Sequence, residues 1–446
     1  MFPKILVANR GEIAVRVIRA CKEMGVRTVA VCSTADAEAF HAQIADEAYC
    51  IGDARPQESY LDSDAILTVA LESGATAVHP GYGFLSESAD FARSCRECGI
   101  VFVGPSPEVI ERMGDKEAAR RTAREAGVPI VAGCDLLRDG SHALSEARRI
   151  GCPLLIKARS GGGGRGIRLV ERPEDAPAAY LAAQAEAEAA FGDGGCYMER
   201  LIRPAHHVEV QVLADASGNV VTLGERECSV QRRNQKLLEE SPSPSVTPEA
   251  RELMHEAARR LARAVDYVGV GTIEYLYSDD GSFAFMEMNT RLQVEHPVTE
   301  MVTGIDLVKW QLRVAAGVEL PFAQRDVRVS GHAIECRINA ETPDFLPSCG
   351  RIDTLHVPGG PWVRFDTALF QGGQVPPYYD SLLGKVIVSS PSREEAIRKM
   401  RSALGELVIE GVQENSELQL DILSHREFVS GTYHTDLMEH LYAEPA

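Results

Sequence analysis

The chain has no apolar run approaching the roughly 18 residues needed to span a bilayer, so nothing in it reads as a membrane segment. At Met1-Phe-Pro-Lys-Ile-Leu-Val-Ala-Asn-Arg10 charge arrives too early for a signal-peptide core. The loop Asn9-Arg-Gly-Glu12 after the first apolar run holds a single glycine, which excludes the G-x-G-x-x-G dinucleotide fingerprint. There is no Gly-Lys-Ser/Thr, and with it no Walker A loop. Cys95-x-x-Cys98 stands alone without a second pair at zinc spacing, and reads as two helix-end thiols. Positive charge is also short. Net charge is −19 from 46 basic and 65 acidic residues, which argues against nucleic acid or an acidic membrane as partner.

Eleven cysteines, an odd count in a long chain, indicate reduced thiols in a reducing compartment, and a cytoplasmic location is expected. Lysine is the rarest charge, 8 of the 46 basic residues. Where arginine is the default cation, a lysine can mark a place that wants a compact point charge. Lys116, Lys157 and Lys236 fall inside the motifs below.

With 446 residues the chain has room for about three domains. At 45% hydrophobic and 25% charged it is an ordinary globular chain, which excludes disorder as the dominant state. Residues 1–110 alternate short apolar runs with helical patterns: strand Ile5–Ala8, helix Gly11–Met24 closed by Gly25, then strands Thr28–Cys32, Ala75–His79 and Ile100–Val103. That alternation predicts a parallel, doubly wound, Rossmann-like sheet. A smaller unit over about 130–203 offers strands Pro153–Ala158 and Ile167–Val170 and an Ala-rich helix over 176–191. Antiparallel strands fill 205–320, with a helix over 249–265 capped by Thr247 and started by Pro248. A β-rich region follows from about 330, with a late helix from Ser392. The whole is a mixed α/β and α+β multidomain chain.

The run Ser160-Gly-Gly-Gly-Gly-Arg-Gly166 lets backbone N–H groups converge on phosphate. A plain flexible turn is the competing reading. Strands on both sides make it the tip of a β-hairpin, a flap over nucleotide phosphates with Lys157 at its base.

The most specific deduction comes from Gly271–Asn289. Asp280-Gly281 between alternating runs predicts a two-residue hairpin turn. Residue numbers in opposed pairs then sum to 561: 278 with 283, 276 with 285, 274 with 287. Glu274 faces Glu287, and Asn289 follows on the same face. Opposed like charges destabilise a hairpin. An exposed, solvent-screened face is one resolution. Leu276, Phe283 and Phe285, expected on that face, make screening poor, and a divalent cation is the other. Two carboxylates and an amide oxygen are hard donors suited to Mg²⁺ or Mn²⁺.

Met113-Gly-Asp-Lys116, the glycine run and Phe285-Met-Glu-Met-Asn-Thr-Arg291 resemble the nucleotide site of ATP-grasp ligases. Ala8-Asn-Arg-Gly-Glu-Ile13, His79-Pro-Gly-Tyr-Gly-Phe-Leu-Ser-Glu87, Gln231-Arg-Arg-Asn-Gln-Lys236, Arg291-Leu-Gln-Val-Glu-His-Pro297, Glu335-Cys-Arg-Ile-Asn-Ala-Glu341 and Pro377-Tyr-Tyr-Asp380 are similar to those of biotin carboxylases, over residues 4 to about 440. The resemblance implies a pre-ATP-grasp domain over 1–113, an ATP-grasp domain over 114–328 with its flap subdomain at about 130–203, and a C-terminal domain over 329–446. It implies that ATP, bicarbonate and carrier-bound biotin give N-carboxybiotin, ADP and phosphate by way of carboxyphosphate, the first half-reaction of acetyl-CoA carboxylase in fatty acid synthesis.

By the same resemblance, Lys116, Lys157, Gly163 and Gly164 contact ATP phosphates. Glu199 and Ile202 meet the adenine, His207 lies on the ribose side, and Gln231 and Asn234 belong to the nucleotide site. Glu274, Glu287 and Asn289 hold Mg²⁺ or Mn²⁺, two ions in all, with Glu274 and Glu287 also counted among the nucleotide contacts. Lys236, Arg291, Gln293 and the Val294 N–H surround bicarbonate, Glu295 is the base, and Arg337 stabilises the biotin enolate. Asn234 stands where the family often has His, Arg159 where it usually has a small residue, and Pro361 where some relatives place an aromatic at a dimer contact. Arg19, Glu23 and Arg364 remain for a homodimer. The chain shows no Met-Lys-Met motif before Ala446, so the carrier and the carboxyltransferase are expected on separate chains. Another ATP-grasp ligase joining a carboxylate to an amine, a carboxylase for another acyl-CoA or 2-oxo acid, and a non-catalytic nucleotide sensor remain the alternatives.

Overall fold

The computed structural model describes residues 1–159 and 166–443. The expected parallel sheet is present, built from β1 (Lys4–Val7), β2 (Arg27–Ser33), β3 (Glu47–Gly52), β4 (Ala77–His79) and β5 (Val101–Phe102) in the order β3-β2-β1-β4-β5. Strand β3 escapes the hydrophobic pattern because its residues are mostly exposed on an edge, Tyr49 among them. The first helix, Gly11–Glu23, buries Ile13, Ala14, Val17, Ile18 and Cys21 at helical spacing and stops before Gly25, whose φ of +72° ends it. Asp62, Ser88, Ser106, Asp115, Asp139, Thr247, Asp306 and Ser392 each accept a backbone N–H in the first turn of a following helix.

A four-stranded sheet follows: β6 (Gly133–Cys134), β7 (Leu154–Ala158), β8 (Ile167–Val170) and β9 (Cys196–Arg200), in the order β6-β9-β7-β8. Strands β7 and β8 pair antiparallel, Lys157 opposite Ile167, as the hairpin reading requires. The Ala-rich helix is found at Ala176–Phe191. Gly163 and Gly164 lie outside the described residues.

The largest sheet holds the site. Its strands are β10 (His206–Ala214), β11 (Val220–Arg232), β12 (Gln235–Ser241), β13 (Gly269–Tyr277), β14 (Phe283–Asn289) and β15 (His332–Asn339). Further along come β16 (Gly350–Arg351), β17 (Thr354–His356), β18 (Val363–Thr367), β19 (Gln374–Val375), β20 (Leu382–Ser390) and β21 (Val408–Glu410). The order β14-β13-β10-β11-β12-β15-β20-β18 makes one eight-stranded sheet from both sides of residue 328. Two-stranded ribbons β16-β19 and β17-β21 flank it.

All nine residues of β10 are buried, so both faces of the sheet are covered there. Val208, Val210 and Val212 pack with Ile273, Tyr275 and Tyr277 under the helix Pro248–Ala264. The alternate residues His207, Glu209 and Gln211 therefore point to the other face, and that face carries the polar site. Apolar side chains of β12, β15 and β20 form a second core with the helix Arg393–Glu406.

The hairpin β13–β14 corrects one expectation and keeps the important one. Glu274 is opposite Glu287. Nearer the turn, however, Tyr275 pairs with Phe285, Leu276 with Ala284 and Tyr277 with Phe283, a one-residue offset with Met286 as the extra residue of a bulge. The turn is longer than two residues: Ser278 N–H reaches Ser282 O at 2.9 Å, leaving Asp279-Asp280-Gly281 as its tip. Phe283 and Phe285 consequently lie on the core face with Tyr275, and not beside Glu274. The bulge lets aromatic residues fill the core near the turn and still returns Glu287 to the polar face.

Candidate active site

Four side chains line up across adjacent strands. Register places Glu287 opposite Glu274, Glu274 opposite Glu209, and Glu209 opposite Arg226. Three carboxylates in a row need cations, and two supply them. Arg226, fully buried, bonds Glu209, Gln211, Thr299, Thr272 and Gln293 at 2.5–3.1 Å. Lys236 Nζ lies 2.5 Å from Glu209, 3.1 Å from Glu274 and 2.6 Å from Glu295. Burial pulls the Lys236 ammonium down, but these carboxylates outweigh it and hold it well above its usual range.

Glu295 is 2% exposed and sits between two cations, Lys236 at 2.6 Å and Arg337 at 3.0 Å. Burial pushes its carboxyl up, but Lys236, Arg337 and Arg226 overcome that and hold it below the ordinary carboxylate range. It is ionised at neutral pH. Arg337 is fixed from its other side by the fully buried Glu239, with Nε at 2.6 Å from Oε1. Burial pushes Glu239 up to about 7 despite that arginine. Arg291 completes the rim: Nε bonds Glu87 at 2.8 Å and a terminal nitrogen bonds Asn289 Oδ1 at 2.7 Å. Gln293 donates to Glu274 at 2.6 Å, and the Val294 carbonyl accepts from Lys385 at 2.7 Å. Lys236, Arg291, Gln293, Val294, Glu295 and Arg337 thus gather around one small polar region.

The carboxylate pair fits a divalent cation. Glu287 faces the open side and is raised, first by the neighbouring Glu274 carboxylate and then by burial. That unresolved repulsion is what a bound cation would relieve. Glu274 itself is well supported: it accepts from Asn289 at 3.0 Å and meets His207 Nε2 at 2.8 Å. Lys116 opens the helix Lys116–Glu125 and is close enough to favour the ionised form of Glu287.

The residues expected on the nucleotide side come from several elements. Lys157 Nζ bonds Glu199 at 2.6 Å, and Glu199 also bonds Arg120, which the sequence reading passed over. Lys116, Arg120, Arg159 and Tyr197 line a cleft beside them. Arg159 pairs with Asp193 at 3.0 Å. Ile202 is half-buried just after β9. Gln231 Nε2 meets His207 Nδ1 at 2.8 Å. Asn234 is exposed in the two-residue turn between β11 and β12, where Arg233 and Asn234 have φ of +49° and +66°. Asparagine tolerates that left-handed backbone better than most residues, which is a local reason for its presence. Of the residues expected at a dimer contact, Arg19 and Pro361 are exposed. Glu23 pairs with Lys309 at 2.5 Å, and Arg364 is engaged with Asp366 and Glu300.

Glu209, Arg226, Glu239, Glu87 and Arg120 were not anticipated. The alternation His207-x-Glu209-x-Gln211 is the one signal that could have placed Glu209 with Glu274. The other four depend on contacts distant in sequence.

Comparison with known proteins agrees with this geometry. Residues 1–110 match the family "Biotin carboxylase, N-terminal domain", 115–323 match "Carbamoyl-phosphate synthase L chain, ATP binding domain", and 335–440 match "Biotin carboxylase C-terminal domain". The chain is 52% identical over 443 residues to Biotin carboxylase 1 of Bacillus subtilis, covering 98% of each chain. It is 49% identical to the 2-oxoglutarate carboxylase small subunit of Hydrogenobacter thermophilus, covering 98% of this chain and 93% of that one. Among solved structures, the biotin carboxylase domain dimer of the H. thermophilus enzyme, with MgADP, ADP and bicarbonate, superposes with a TM-score of 0.94 at 48% identity over all of both chains. Biotin carboxylase from Campylobacter jejuni gives 0.95 at 45% identity over 99% of each. With the carboxylate row, the caged Glu295 and matches along nearly its whole length, the chain belongs to the biotin carboxylase family of ATP-grasp ligases.

Proposed function

We propose that the polar face of the large sheet is where this chain carboxylates biotin, with Glu295 as the base. The reaction is ATP-dependent: bicarbonate is activated by phosphoryl transfer and its carboxyl group passes to N1 of carrier-bound biotin. The observation that carries the residue assignment is the position of Glu295, buried and ionised between Lys236 and Arg337.

In this reading Lys236, Arg291, Gln293 and the Val294 N–H hold bicarbonate. Bicarbonate drawing on Lys236 takes positive charge away from Glu295, so the carboxylate becomes a stronger base as substrate binds. Glu295 then removes the bicarbonate proton, and the oxyanion attacks the γ-phosphorus of ATP, breaking its bond to the departing ADP and giving carboxyphosphate. Lys116 and Lys157 lie on the phosphate side, with Gly163 and Gly164 in the flap, and Glu199, Ile202, His207, Gln231 and Asn234 complete the nucleotide pocket. Glu274, Glu287 and Asn289 would hold Mg²⁺ or Mn²⁺, which when bound neutralises phosphate charge. Carboxyphosphate then gives up its carboxyl as CO2 and leaves phosphate, which takes the biotin N–H proton; Arg337, oriented by Glu239, stabilises the resulting enolate until its nitrogen attacks the CO2. The domain limits 1–113, 114–328 and 329–446 belong to the same reading.

The carrier and carboxyltransferase are proposed as separate chains, serving acetyl-CoA, and the chain as a cytoplasmic homodimer. Relatives of nearly equal length named biotin carboxylase support the separate chains, the H. thermophilus domain dimer supports the homodimer, and the H. thermophilus small subunit supports a 2-oxo acid carboxylase as the second reading. Bicarbonate-dependent ATP hydrolysis that rises with biotin tests the activity. Affinity capture of the carrier, followed by assay with acetyl-CoA and 2-oxoglutarate, separates the two complexes. Turnover indifferent to bicarbonate would reject the assignment of the site.

A further inference from the structure

At the tip of the hairpin β13–β14, three donors from three distant parts of the chain converge. His206 opens β10, Asp279 is in the hairpin tip, and His434 precedes the last helix, Leu437–Ala443. Asp279 Oδ1 is 3.1 Å from His206 Nε2 and 3.2 Å from His434 Nε2, and the two imidazoles lie 4.4 Å apart between centroids. One ligand atom from each residue falls within 4.8 Å of the others. From these donors we infer a second metal site, a tetrahedral His-His-Asp site for zinc or a similar borderline cation, separate from the Mg²⁺ or Mn²⁺ carboxylates.

The distances suit that ion. Tetrahedral coordination at about 2.0–2.1 Å puts neighbouring donors roughly 3.3 Å apart, and two of the three donor pairs stand at 3.1 and 3.2 Å. Both imidazoles present Nε2, so one ring orientation serves each. Behind His206, its Nδ1 faces the fully buried Glu227 carboxylate at 3.7 Å without a hydrogen bond. A carboxylate that accepts the second ring N–H of a ligating imidazole fixes its tautomer and raises its basicity, and a small shift of the His206 ring on metal binding would close this contact. Glu227 is itself held by Ser229 and Ser243. Asp279 and Glu227 together balance a divalent charge. The side chain of Asp279 is 62% exposed and that of His434 20%, which leaves an approach from solvent, the side from which a water would come as fourth ligand. Nitrogen-rich donors favour zinc over magnesium, so the two sites sort ions by chemistry. An ion here would clamp the hairpin tip, and with it the strands carrying Glu274 and Glu287, to the C-terminal segment.

Cobalt is the probe, because a tetrahedral Co²⁺ site absorbs in the visible. The full-length protein is freed of metal, the exposed thiols of Cys50, Cys98 and Cys349 are alkylated, and excess Mg²⁺ covers the carboxylate pair. Titration should show one Co²⁺ per chain with a tetrahedral spectrum, displaced by Zn²⁺. His434→Ala, near the surface, should keep the fold by circular dichroism and lose at least about 10–100-fold in affinity. Asp279→Asn should weaken binding too, whereas Glu287→Gln should leave the spectrum intact. Zinc should raise the melting temperature of wild type and not of His434→Ala. The same Co²⁺ spectrum and affinity in His434→Ala, or no tetrahedral spectrum in wild type, overturns the site.

Discussion

Glu209 and Glu274 face each other across adjacent antiparallel strands, and the single ammonium of Lys236 reaches both, at 2.5 and 3.1 Å, and Glu295 as well. One cation therefore holds together the cross-strand pair Glu209–Glu274 and Glu295, the proposed base. A planar guanidinium could not take the place of that compact charge among three acceptors without displacing one of them.

Lys236→Met should consequently do more than remove the proposed bicarbonate contact. Breaking a buried ion pair from one side typically costs about 3–5 kcal/mol, so the melting temperature should fall. Bicarbonate-dependent ATP hydrolysis should drop by about 10²–10³. Lys236→Arg should recover more of the stability than of the rate. Thermal unfolding and phosphate release on the same preparations check both.

Glu287→Gln separates structure from metal binding. Removing one of two opposed carboxylates should leave the metal-free protein as stable as wild type or about 0.5 kcal/mol more stable. Mg-ATP affinity should weaken by at least about 10-fold. Calorimetric titration with Mg-ATP, beside a melting curve without metal, reads the two effects. A variant that binds Mg-ATP as wild type does would place the metal elsewhere.

Glu295→Gln and Arg337→Ala should part the two half-reactions. The first should depress ATP cleavage and carboxybiotin formation together. The second should keep nucleotide and metal binding, and lose carboxybiotin by roughly 10²–10³ with a smaller loss of ATP cleavage. The ratio of carboxybiotin formed to ATP hydrolysed is the measurement. Equal ratios in wild type and Arg337→Ala would leave that arginine a structural role only.

Acid should loosen the C-terminal core through Glu240. Burial raises its carboxyl, but His332, Arg393 and their hydrogen bonds win and hold it at about 2. A folded value below the unfolded one stabilises the protein above the ordinary carboxylate range, and that contribution is lost as pH falls from about 4.5 toward 2. The full effect is about 3 kcal/mol. Glu240→Gln should therefore be clearly less stable than wild type in urea at pH 7, and the gap should narrow below about pH 4.

The parts legible in sequence were those set by local periodicity. The parallel sheet, the cap at Thr247, the late helix at Ser392 and the helix Ala176–Phe191 all follow from spacing and end residues. The Glu274–Glu287 opposition was legible too, although the route to it was incomplete. A two-residue turn and a straight ladder lead to the same pair as a longer turn with a bulge at Met286. The two departures cancel from Glu274–Glu287 onward, through Ile273–Met288 and Thr272–Asn289, but not between the bulge and the turn, so the aromatic residues there lie on the other face from the one expected. Arg226 and Glu239 were hidden for another reason. Each acts through partners on other strands, and a buried charge gives no local pattern until the strands that neutralise it are known.

The shared eight-stranded sheet also dictates where this chain can change length. Along β15, Glu335 and Arg337 face the polar side with Glu239, while Ile334, Cys336 and Ile338 fill the core. One residue inserted just before Arg337 would turn its guanidinium into that apolar layer and bring an apolar side chain out beside Glu295. The same holds on β13 for Glu274 and on β10 for Glu209. Exposed Gly359-Gly360-Pro361, outside the ladder, carries no such constraint. Insertions and deletions should therefore be confined to such loops, whereas substitutions along these strands can be read residue against residue without a gap.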